Sequence, residues 1–266
     1  MSAASLSISI VIYDLDQILL DKTFSSLQTS VAHCKAEGLL DYCSVTLIDN
    51  AQNSINVAQL GSLKTQLLEN KTNLGFGAAH NQAISKSTSE FHLVLNPDVE
   101  LEPSAISAFL SLASRDPNVT LICPRGRSSA GSEAYLAKRY PTLIDLFLRG
   151  FTPGFVKDRF SDRLSHYEYR ELDAREAVDV ELVSGCCMFL RTEAAKAQGA
   201  FDEAFFLYFE DFDLSITMRQ VGRVVYAPSI NIIHHGGNSS KKGLRHILLF
   251  ARSAFRFFNK HGWKLS

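Results

Sequence analysis

The first half of the chain alternates apolar segments of strand length with segments of helical pattern, and this alternation restricts the fold more than any other feature. The predicted strands are 7–13, 45–48, 65–68, 91–95 and 119–123, and the predicted helices are 22–37, 78–86 and 103–114. Strands joined through helices pair in parallel, with right-handed crossovers. The pattern therefore predicts an α/β fold with a mostly parallel central sheet flanked by helices.

A single carboxylate, Asp98, follows the apolar strand at 91–95. Pro97 cannot continue a central strand, so the chain must turn out of the sheet where Asp98 lies. Ligands of open α/β sheets bind beyond the carboxyl ends of the strands, so Asp98 is a candidate metal ligand. An ordinary turn is the alternative, because Asn, Pro and Asp are all favoured in turns.

Three further carboxylates, Glu210, Asp211 and Asp213, lie among five aromatic residues. Asp211 or its neighbour is expected to cap a helix that runs to Val221. Capping accounts for only one carboxylate, and an apolar surrounding raises the cost of unpaired charge. The cluster therefore indicates a function beyond capping.

A second apolar strand ends at His234 and His235, before a glycine turn. A neutral imidazole at this point is suited to complete a divalent metal site. A lone histidine is more often a surface residue, but Asp98 and the acidic cluster also lie at the ends of predicted elements. Together they favour the metal site.

Composition excludes several classes of protein. The 266 residues, 46% of them hydrophobic, are enough for a large core, and the net charge of −1 gives no sign of nucleic-acid binding. The five cysteines form no C-x-x-C pair, which favours a reducing, cytoplasmic location. Residues 5–13 are too short for a membrane span and lack a basic leader, so they are expected to form the first strand.

The alternation stops after Pro124, and residues 125–177 form an excursion rich in Gly, Ser, Arg and aromatic residues. A short helix is predicted at 142–149, and the excursion is expected to carry substrate contacts or a lid. A disordered insertion is less favoured, because disordered segments contain few aromatic residues. Residues 178–190 then predict one or two strands around Ser184 and Gly185.

Several short motifs occur in an order that resembles one known family. They are 8–13, Leu47-Ile-Asp-Asn50, Asn73-Leu-Gly-Phe-Gly77 with Asn81, Leu95-Asn-Pro-Asp-Val99, Ser184-Gly-Cys-Cys-Met-Phe189, Gly199-Ala-Phe-Asp202, Glu210-Asp-Phe-Asp-Leu214 and His234-His-Gly-Gly237. Their order resembles the inverting family-2 glycosyltransferases with the GT-A fold, a Rossmann-like nucleotide-sugar-binding fold, and within them the rhamnosyltransferase-like branch. The resemblance covers nearly the whole chain.

The resemblance implies roles for residues at both sides of a reaction site. Asp49 would receive the pyrimidine ring of a nucleotide-sugar donor, and the other donor-binding residues would be Tyr13, Asn73, Gly75, Phe76, Asn81 and Asn96. Asp98 and His234 would hold Mg²⁺ or Mn²⁺, which would stabilise charge on the leaving diphosphate. Asp211 would be the catalytic base, and Glu210 and Asp213 would position the acceptor or cap the helix.

The expected reaction transfers L-rhamnose from dTDP-rhamnose to a hydroxyl of a growing, lipid-diphosphate-linked glycan in polysaccharide or O-antigen assembly. Two departures from the family pattern, Asp14 after Tyr13 and Thr217 in place of a basic residue, leave the donor open. Another hexosyl or deoxyhexosyl donor is the first alternative. A nucleotidyltransferase and a non-catalytic nucleotide-sugar-binding module are the others.

The C-terminal segment 241–266 contains seven basic residues and no acidic one. Leu244, Ile247, Leu248, Ala251, Phe255 and Phe258 recur at helical spacing, which predicts a basic amphipathic helix. Such a helix is suited to peripheral contact with the inner face of the plasma membrane, and equally to packing on the core or on another subunit. The expected organisation is a GT-A domain at 1–240, with a nucleotide-sugar half at 1–124 and an acceptor half at 125–240, followed by this helix.

Overall fold

A computed structural model describes residues 3–53, 55–57, 60–172, 176–236 and 243–265. The strands are β1 (Ala4–Ile12), β2 (Leu40–Asp49), β3 (Thr65–Glu69), β4 (Phe91–Leu95), β5 (Val99–Leu101), β6 (Val119–Arg127), β7 (Ala137–Lys138), β8 (Val178–Asp179), β9 (Leu182–Val183), β10 (Cys187–Arg191) and β11 (Arg223–His234). The helices are α1 (Gln17–Ala36), α2 (Phe76–Ile84), α3 (Ala105–Arg115), α4 (Leu143–Phe151), α5 (Gly154–Arg159), α6 (Ser161–Tyr167), α7 (Thr192–Ala197), α8 (Glu210–Arg219) and α9 (Leu244–His261).

The central sheet has the strand order β3-β2-β1-β4-β10-β6-β11-β5, and β8 pairs with β11 at the side. The pairs β1/β2, β1/β4, β2/β3 and β6/β11 are parallel, whereas β10 runs antiparallel to both β4 and β6. The mostly parallel α/β sheet predicted from the sequence is therefore confirmed. Its parallel strands present their carboxyl ends along one edge, where ligands of such sheets bind.

The predicted elements are present, and the differences concern their ends and the number of short strands. α1 begins five residues before the predicted helix, because Asp16 Oδ1 accepts a hydrogen bond from the Leu19 N–H at 3.1 Å and caps it. Residues 178–190 form three short strands instead of one or two. The three-residue strand β5, which follows Asp98 directly and pairs with β11, was not predicted because it is too short to produce a periodic pattern.

The excursion contains ordered structure, including α4, α5 and α6. Thr142 and Asp145 form a reciprocal capping box at the start of α4, in agreement with the helix predicted there. One face of α4 buries Leu146 against Phe257 and Phe258 of α9. The excursion is thus packed against the C-terminal helix.

The C-terminal helix α9 buries a different set of residues from the predicted one. Ala254, Phe257 and Phe258 pack with Phe205, Phe209 and Phe212 in a cluster separate from the main core. Of the predicted apolar face, only Phe258 is buried, and Leu244, Ile247, Leu248, Ala251 and Phe255 are exposed. Lys241, Lys242 and Ser266 of the predicted helix lie outside the described residues. Within the described part of the chain, no helix has the length and apolar character needed to cross a bilayer.

Candidate active site

A cleft of about 500 Å³ opens at the carboxyl ends of β1 and β2. Residues on its wall include Tyr13, Asp14, Asn50, Lys71 and Asn73. This is the ligand-binding edge of a parallel sheet, so the cleft lies where a nucleotide is expected.

Asp49, the last residue of β2, is fully buried beside this cleft. Its Oδ1 accepts hydrogen bonds from the Ala51 N–H at 2.9 Å and the Asn53 amide at 2.8 Å. Its Oδ2 is buried and has no hydrogen-bond partner among the residues that the structure describes. A buried carboxylate oxygen of this kind is costly unless a ligand pairs with it. The donor-binding role of Asp49 stays a prediction.

The motif at 73–77 forms a loop that is hydrogen-bonded to the backbone of the second half of the chain. Asn73 Oδ1 accepts the Gly75 N–H at 2.8 Å, and the Phe76 N–H donates to the Phe206 carbonyl at 3.0 Å. Gly75 has φ +89°, and a Cβ there would lie 2.2 Å from the same Phe206 oxygen. Only glycine permits both this backbone conformation and this approach. The loop therefore holds the segment that leads to α8.

Asn81 makes contacts within the protein. Its side-chain amide donates to the Phe201 carbonyl at 2.8 Å and to Glu203 at 3.1 Å, and its Oδ1 accepts the Phe201 N–H at 3.0 Å. These bonds tie α2 to the loop after α7. The role of Asn81 in donor binding stays a prediction.

Asp98 and His234 lie together, although 136 positions separate them in the chain. β5 pairs with the end of β11 so that Val99 lies opposite His234. His234 Nε2 is 3.5 Å from Asp98 Oδ2, and the His235 N–H donates to the Asp98 carbonyl at 3.0 Å. His235 itself contacts Glu100 at 2.6 Å. The antiparallel pairing thus places a carboxylate and an imidazole at the same point.

This pair fits a divalent ion that is shared with a substrate. One carboxylate and one imidazole are suitable ligands, and Mg²⁺ in phosphate-binding sites commonly takes one or two protein ligands plus phosphate oxygens and water. The described ranges contain no group of three or more His, Cys, Asp or Glu side chains arranged for metal binding. Asp98 and His234 therefore fit an ion that depends on the donor for its other ligands.

The segment around Gly185 and Cys186 connects this pair to Asp211. The Asn96 N–H donates to the Cys186 carbonyl at 2.8 Å, and the Gly185 N–H donates to Asp211 Oδ2 at 2.9 Å. Burial raises the pKa of the Cys186 thiol well above its usual value, and the charges of Asp98 and Asp211 add to that rise. Asp98 and Asp211 therefore lie on either side of this segment, in one region of the molecule.

Asp211 lies in the first turn of α8 and is held in a fixed orientation. Besides the Gly185 bond to Oδ2, Oδ1 accepts the Phe212 N–H at 2.9 Å. Burial raises the pKa of Asp211 from 3.8 to about 6, and the backbone hydrogen bonds limit the rise. A carboxylate with this pKa is ionised at neutral pH and still basic enough to accept a proton.

The backbone immediately before α8 is strained. Tyr208 and Phe209 have φ of +70° and +67°, a left-handed conformation that is unfavourable for residues with a side chain. Phe209 is the N-cap and no side chain caps the helix, so the prediction that Asp211 or its neighbour caps it is wrong. The helix begins with Glu210, whose pKa is raised well above its usual value by burial and by the charge of Asp211.

Asp213 contacts α9. The Lys260 ammonium lies 2.8 Å from Asp213 Oδ1, and His261 Nε2 lies 2.6 Å from the same atom. Lys260 also contacts Asp202 at 2.8 Å. These contacts fasten the C-terminal helix to the helix that carries Asp211. The acceptor-positioning role predicted for Asp213 stays a prediction.

A basic cluster in the excursion was missed by the sequence analysis. Glu168 lies 3.1 Å from Arg149 and 3.7 Å from the buried Lys138, and these cations with Arg170 lower its pKa although burial opposes ionisation. Arg149 is also close enough to Asp211 to lower the pKa of that carboxyl. The basic residues of the excursion are not periodic, and Glu168, about 30 residues after Lys138, has no recognisable sequence signal.

Comparisons with known proteins identify the family of the chain. The family model described as Glycosyl transferase family 2 matches residues 24–199, more than half of the chain. An N-acetylglucosaminyl-diphospho-decaprenol L-rhamnosyltransferase of Mycobacterium tuberculosis is 30% identical over 214 residues, covering 74% of this chain and 68% of its own length. Rhamnosyltransferase WbbL of Escherichia coli is 23% identical over 195 residues, covering 70% and 67%.

Two solved structures share the fold at 13% sequence identity. GalNAc-T7 with UDP, GalNAc and Mn²⁺ has a TM-score of 0.64, covering 97% of this chain and 48% of its own. The mannosyltransferase PcManGT of Pyrobaculum calidifontis with GDP-Man and Mn²⁺ has a TM-score of 0.62, covering 96% and 65%. Both are GT-A glycosyltransferases. The chain therefore belongs to glycosyl transferase family 2, as a rhamnosyltransferase-like glycosyltransferase with the GT-A fold.

Proposed function

We propose that this enzyme transfers L-rhamnose from dTDP-rhamnose, with inversion and with a divalent metal, to a hydroxyl of a lipid-diphosphate-linked glycan. The setting would be polysaccharide or O-antigen assembly. The two rhamnosyltransferases above support the sugar, and the name of the mycobacterial relative supports the lipid-diphosphate acceptor. The observation that carries the reaction type is the partly buried, backbone-held Asp211, in the same region as Asp98 and its partner His234.

The donor would lie across the edge of the sheet. Asp49, with its buried Oδ2, would accept a hydrogen bond from the N–H of the thymine ring. Tyr13, Asn73 and the Gly75 loop would contact the rest of the nucleotide, since Tyr13 and Asn73 line the cleft. The diphosphate would then lie toward the end of β4, near Asn96 and Asp98.

Asp211 would act on the acceptor. As the acceptor oxygen forms its bond to the anomeric carbon, Asp211 takes the hydroxyl proton, and the bond from that carbon to the phosphate oxygen breaks with its electron pair remaining on the diphosphate. Asp98 and His234 would hold Mg²⁺ or Mn²⁺, which when bound neutralises charge on the leaving diphosphate. Glu210 and Asp213 would act beside Asp211, in the positioning roles predicted for them.

The test is a transfer assay with dTDP-rhamnose and a synthetic lipid-diphosphate-linked N-acetylglucosamine acceptor. We expect release of dTDP, and we expect Asp211→Asn to lower the rate by about 10²–10⁴-fold while donor affinity changes little. The rate should increase about tenfold per pH unit up to about pH 6 and then level off, because Asp211 must be ionised. Full transfer by Asp211→Asn would refute the assignment of the base.

The alternatives predict different products. A nucleotidyltransferase would release pyrophosphate instead of dTDP, and a non-catalytic module would bind the nucleotide sugar without turnover. A panel of nucleotide sugars, ranked by the increase in melting temperature that each causes with Mn²⁺, identifies the donor, because a ligand stabilises the native state by mass action. A larger increase with another hexose or deoxyhexose donor would exclude dTDP-rhamnose.

The metal sites can be tested separately. His234→Gln should raise the Mn²⁺ concentration needed for half-maximal transfer, whereas His235→Gln is the matched control, since His235 contacts Glu100 rather than Asp98 through its side chain. An equal effect of both substitutions, or full activity in EDTA, would contradict the proposed metal site.

A further inference from the structure

The C-terminal helix α9 has two apolar faces, and the residues that the structure describes bury only one of them. The inner face buries Ala254, Phe257 and Phe258. The outer face carries Leu244, Leu248, Ala251 and Phe255, whose spacing of four, three and four residues places them in one row along the helix. Leu244, Leu248 and Phe255 are 81%, 71% and 59% exposed. We call these four residues the outer row.

The surface continues onto α4, α5 and the chain after α9. The Leu143 N–H, at the start of α4, donates to the Lys264 carbonyl at 3.1 Å, and the Tyr140 hydroxyl donates to the Gly262 carbonyl at 2.6 Å. These bonds bring α4 next to the end of α9. Large apolar side chains are exposed on α4, on α5 and the residue that follows it, and on the chain after α9, and they are Ile144, Phe147, Phe155, Phe160, Trp263 and Leu265.

This concentration is local. One more exposed apolar residue, Ile247, is on α9 itself. The remaining ones among the described residues are spread over several elements and loops, and they are Tyr13, Ile18, Tyr42, Leu74, Val221 and Ile233. Single exposed apolar residues are normal on a soluble protein, whereas a cluster on adjacent elements indicates a binding surface.

The charge beside the outer row is positive. Three exposed arginines each come directly after a residue of the outer row in the sequence, and they are Arg245, Arg252 and Arg256. Residues 243–265 contain no acidic side chain. A helix with exposed apolar residues flanked by arginines is typical of segments that lie in the headgroup region of an anionic bilayer.

We propose that the outer row of α9, together with the exposed apolar side chains of α4, α5 and residues 263–265, docks on an anionic lipid bilayer. A second copy of the chain fits this surface less well. In a symmetric dimer the same patch meets itself, so the arginine rows of two copies would approach each other with no carboxylate on α9 to pair with them.

The inference deepens the proposed function, because it names the surface through which a transferase could reach a lipid-linked acceptor. The inner side of α9 holds Asp213, two residues after Asp211, through Lys260 and His261. A bilayer in contact with the outer row would therefore lie on the side of α9 that faces away from α8, the helix that carries Asp211. Only this biological purpose rests on the proposed function, since bilayer contact itself needs no sugar substrate.

The experiment is flotation of the purified full chain with vesicles, without nucleotide sugar or glycan acceptor. One set of vesicles is phosphatidylcholine alone, and the other is phosphatidylcholine mixed with phosphatidylglycerol. We expect the protein to float with the anionic vesicles and to dissociate as salt is added. Leu248→Ser with Phe255→Ser should lower the affinity at least tenfold, because burial of one such side chain is worth about a factor of ten or more.

Two further variants define the surface. Phe155→Ser on α5 should weaken flotation by about the same factor as one substitution in the outer row. The matched control is Ile18→Ser on α1, because Ile18 is 71% exposed, as Leu248 is. This variant should float with the vesicles as the unchanged protein does. Circular dichroism checks that each variant is folded, as expected for substitutions at exposed positions.

Three results would overturn the proposal. The first is failure of the unchanged protein to float with either set of vesicles, and the second is an equal loss for Ile18→Ser. The third is a dimer in solution that Leu248→Ser with Phe255→Ser converts to a monomer, which would make the outer row an interface between copies. Transfer to a water-soluble acceptor analogue is measured in parallel, so loss of vesicle binding and failure of the transferase function can be distinguished.

Discussion

Asp211→Asn should make the protein inactive and at the same time more stable at neutral pH. In the native protein this carboxylate is largely shielded from water, and the loss of hydration raises its pKa from 3.8 to about 6. A raised pKa means that the ionised form is disfavoured in the folded state, so ionisation destabilises the fold. Active sites commonly retain such unfavourable charges because the chemistry requires them.

The size of the effect follows from the pKa. A shift of about two pKa units corresponds to ~3 kcal/mol, since each unit is worth about 1.4 kcal/mol. Asparagine has one acceptor oxygen in place of two, so one of the bonds from the Gly185 and Phe212 N–H groups is lost, at about 1 kcal/mol. The expected net gain in the free energy of unfolding is about 2 kcal/mol.

The gain should depend on pH in a defined direction. Below pH 3.8 the aspartic acid is neutral in both folded and unfolded states, and its burial costs no ionisation energy. As the pH rises toward 6 the unfolded state ionises first, so the stability of the native protein falls relative to the variant. The difference between the two proteins should therefore grow between pH 4 and about 6 and then stay constant.

The measurement is urea unfolding of both proteins from pH 4 to 8, in EDTA and without donor, to obtain the free energy of unfolding. The matched control is Asp213→Asn, because Asp213 lies on the same turn of α8 and is buried, but is paired with Lys260 and His261. This variant should lose about 1–3 kcal/mol. An Asp211→Asn variant that is less stable than the native protein at pH 8, or whose gain does not depend on pH, would refute the reasoning.

Two further substitutions test the packing around the site. Phe257→Ala should lower the melting temperature by roughly 6–20 °C, because the ring is fully buried. The control, Phe255→Ala on the exposed face of the same helix, should lower the melting temperature by less than about 3 °C. Similar decreases for both variants would mean that α9 does not pack through its inner face. Gly75→Ala should cost about 2–5 kcal/mol in chemical unfolding, from positive φ and from the clash with the Phe206 carbonyl. Gly131 also has positive φ, but a Cβ there would meet no atom within 4 Å, so Gly131→Ala should lower the free energy of unfolding only by the conformational cost of about 1–2 kcal/mol. Equal losses of stability for the two variants would contradict the clash at Gly75.

Local signals explain why much of the fold could be predicted. The strands and helices of the first half each have an apolar pattern of their own, and the prolines and glycines between them mark the turns. Asp98 could be placed at the end of β4 because Pro97 forces the chain to leave the sheet there. Asp211 could be assigned as the base from the family likeness, but neither its burial nor its raised pKa has a sequence signal.

The sequence by itself determined the alternation of strands and helices, the parallel sheet that follows from it and the position of Asp98 and His234 at strand ends. Only the tertiary structure decided that Asp211 is held by the Gly185 and Phe212 N–H groups, that Asp213 is bound by Lys260 and His261, and which face of α9 is covered. The physical reason is that these outcomes depend on contacts between segments far apart in the chain. A helix with apolar residues on two faces has a periodic pattern that fits either face, and only its packing partners select one.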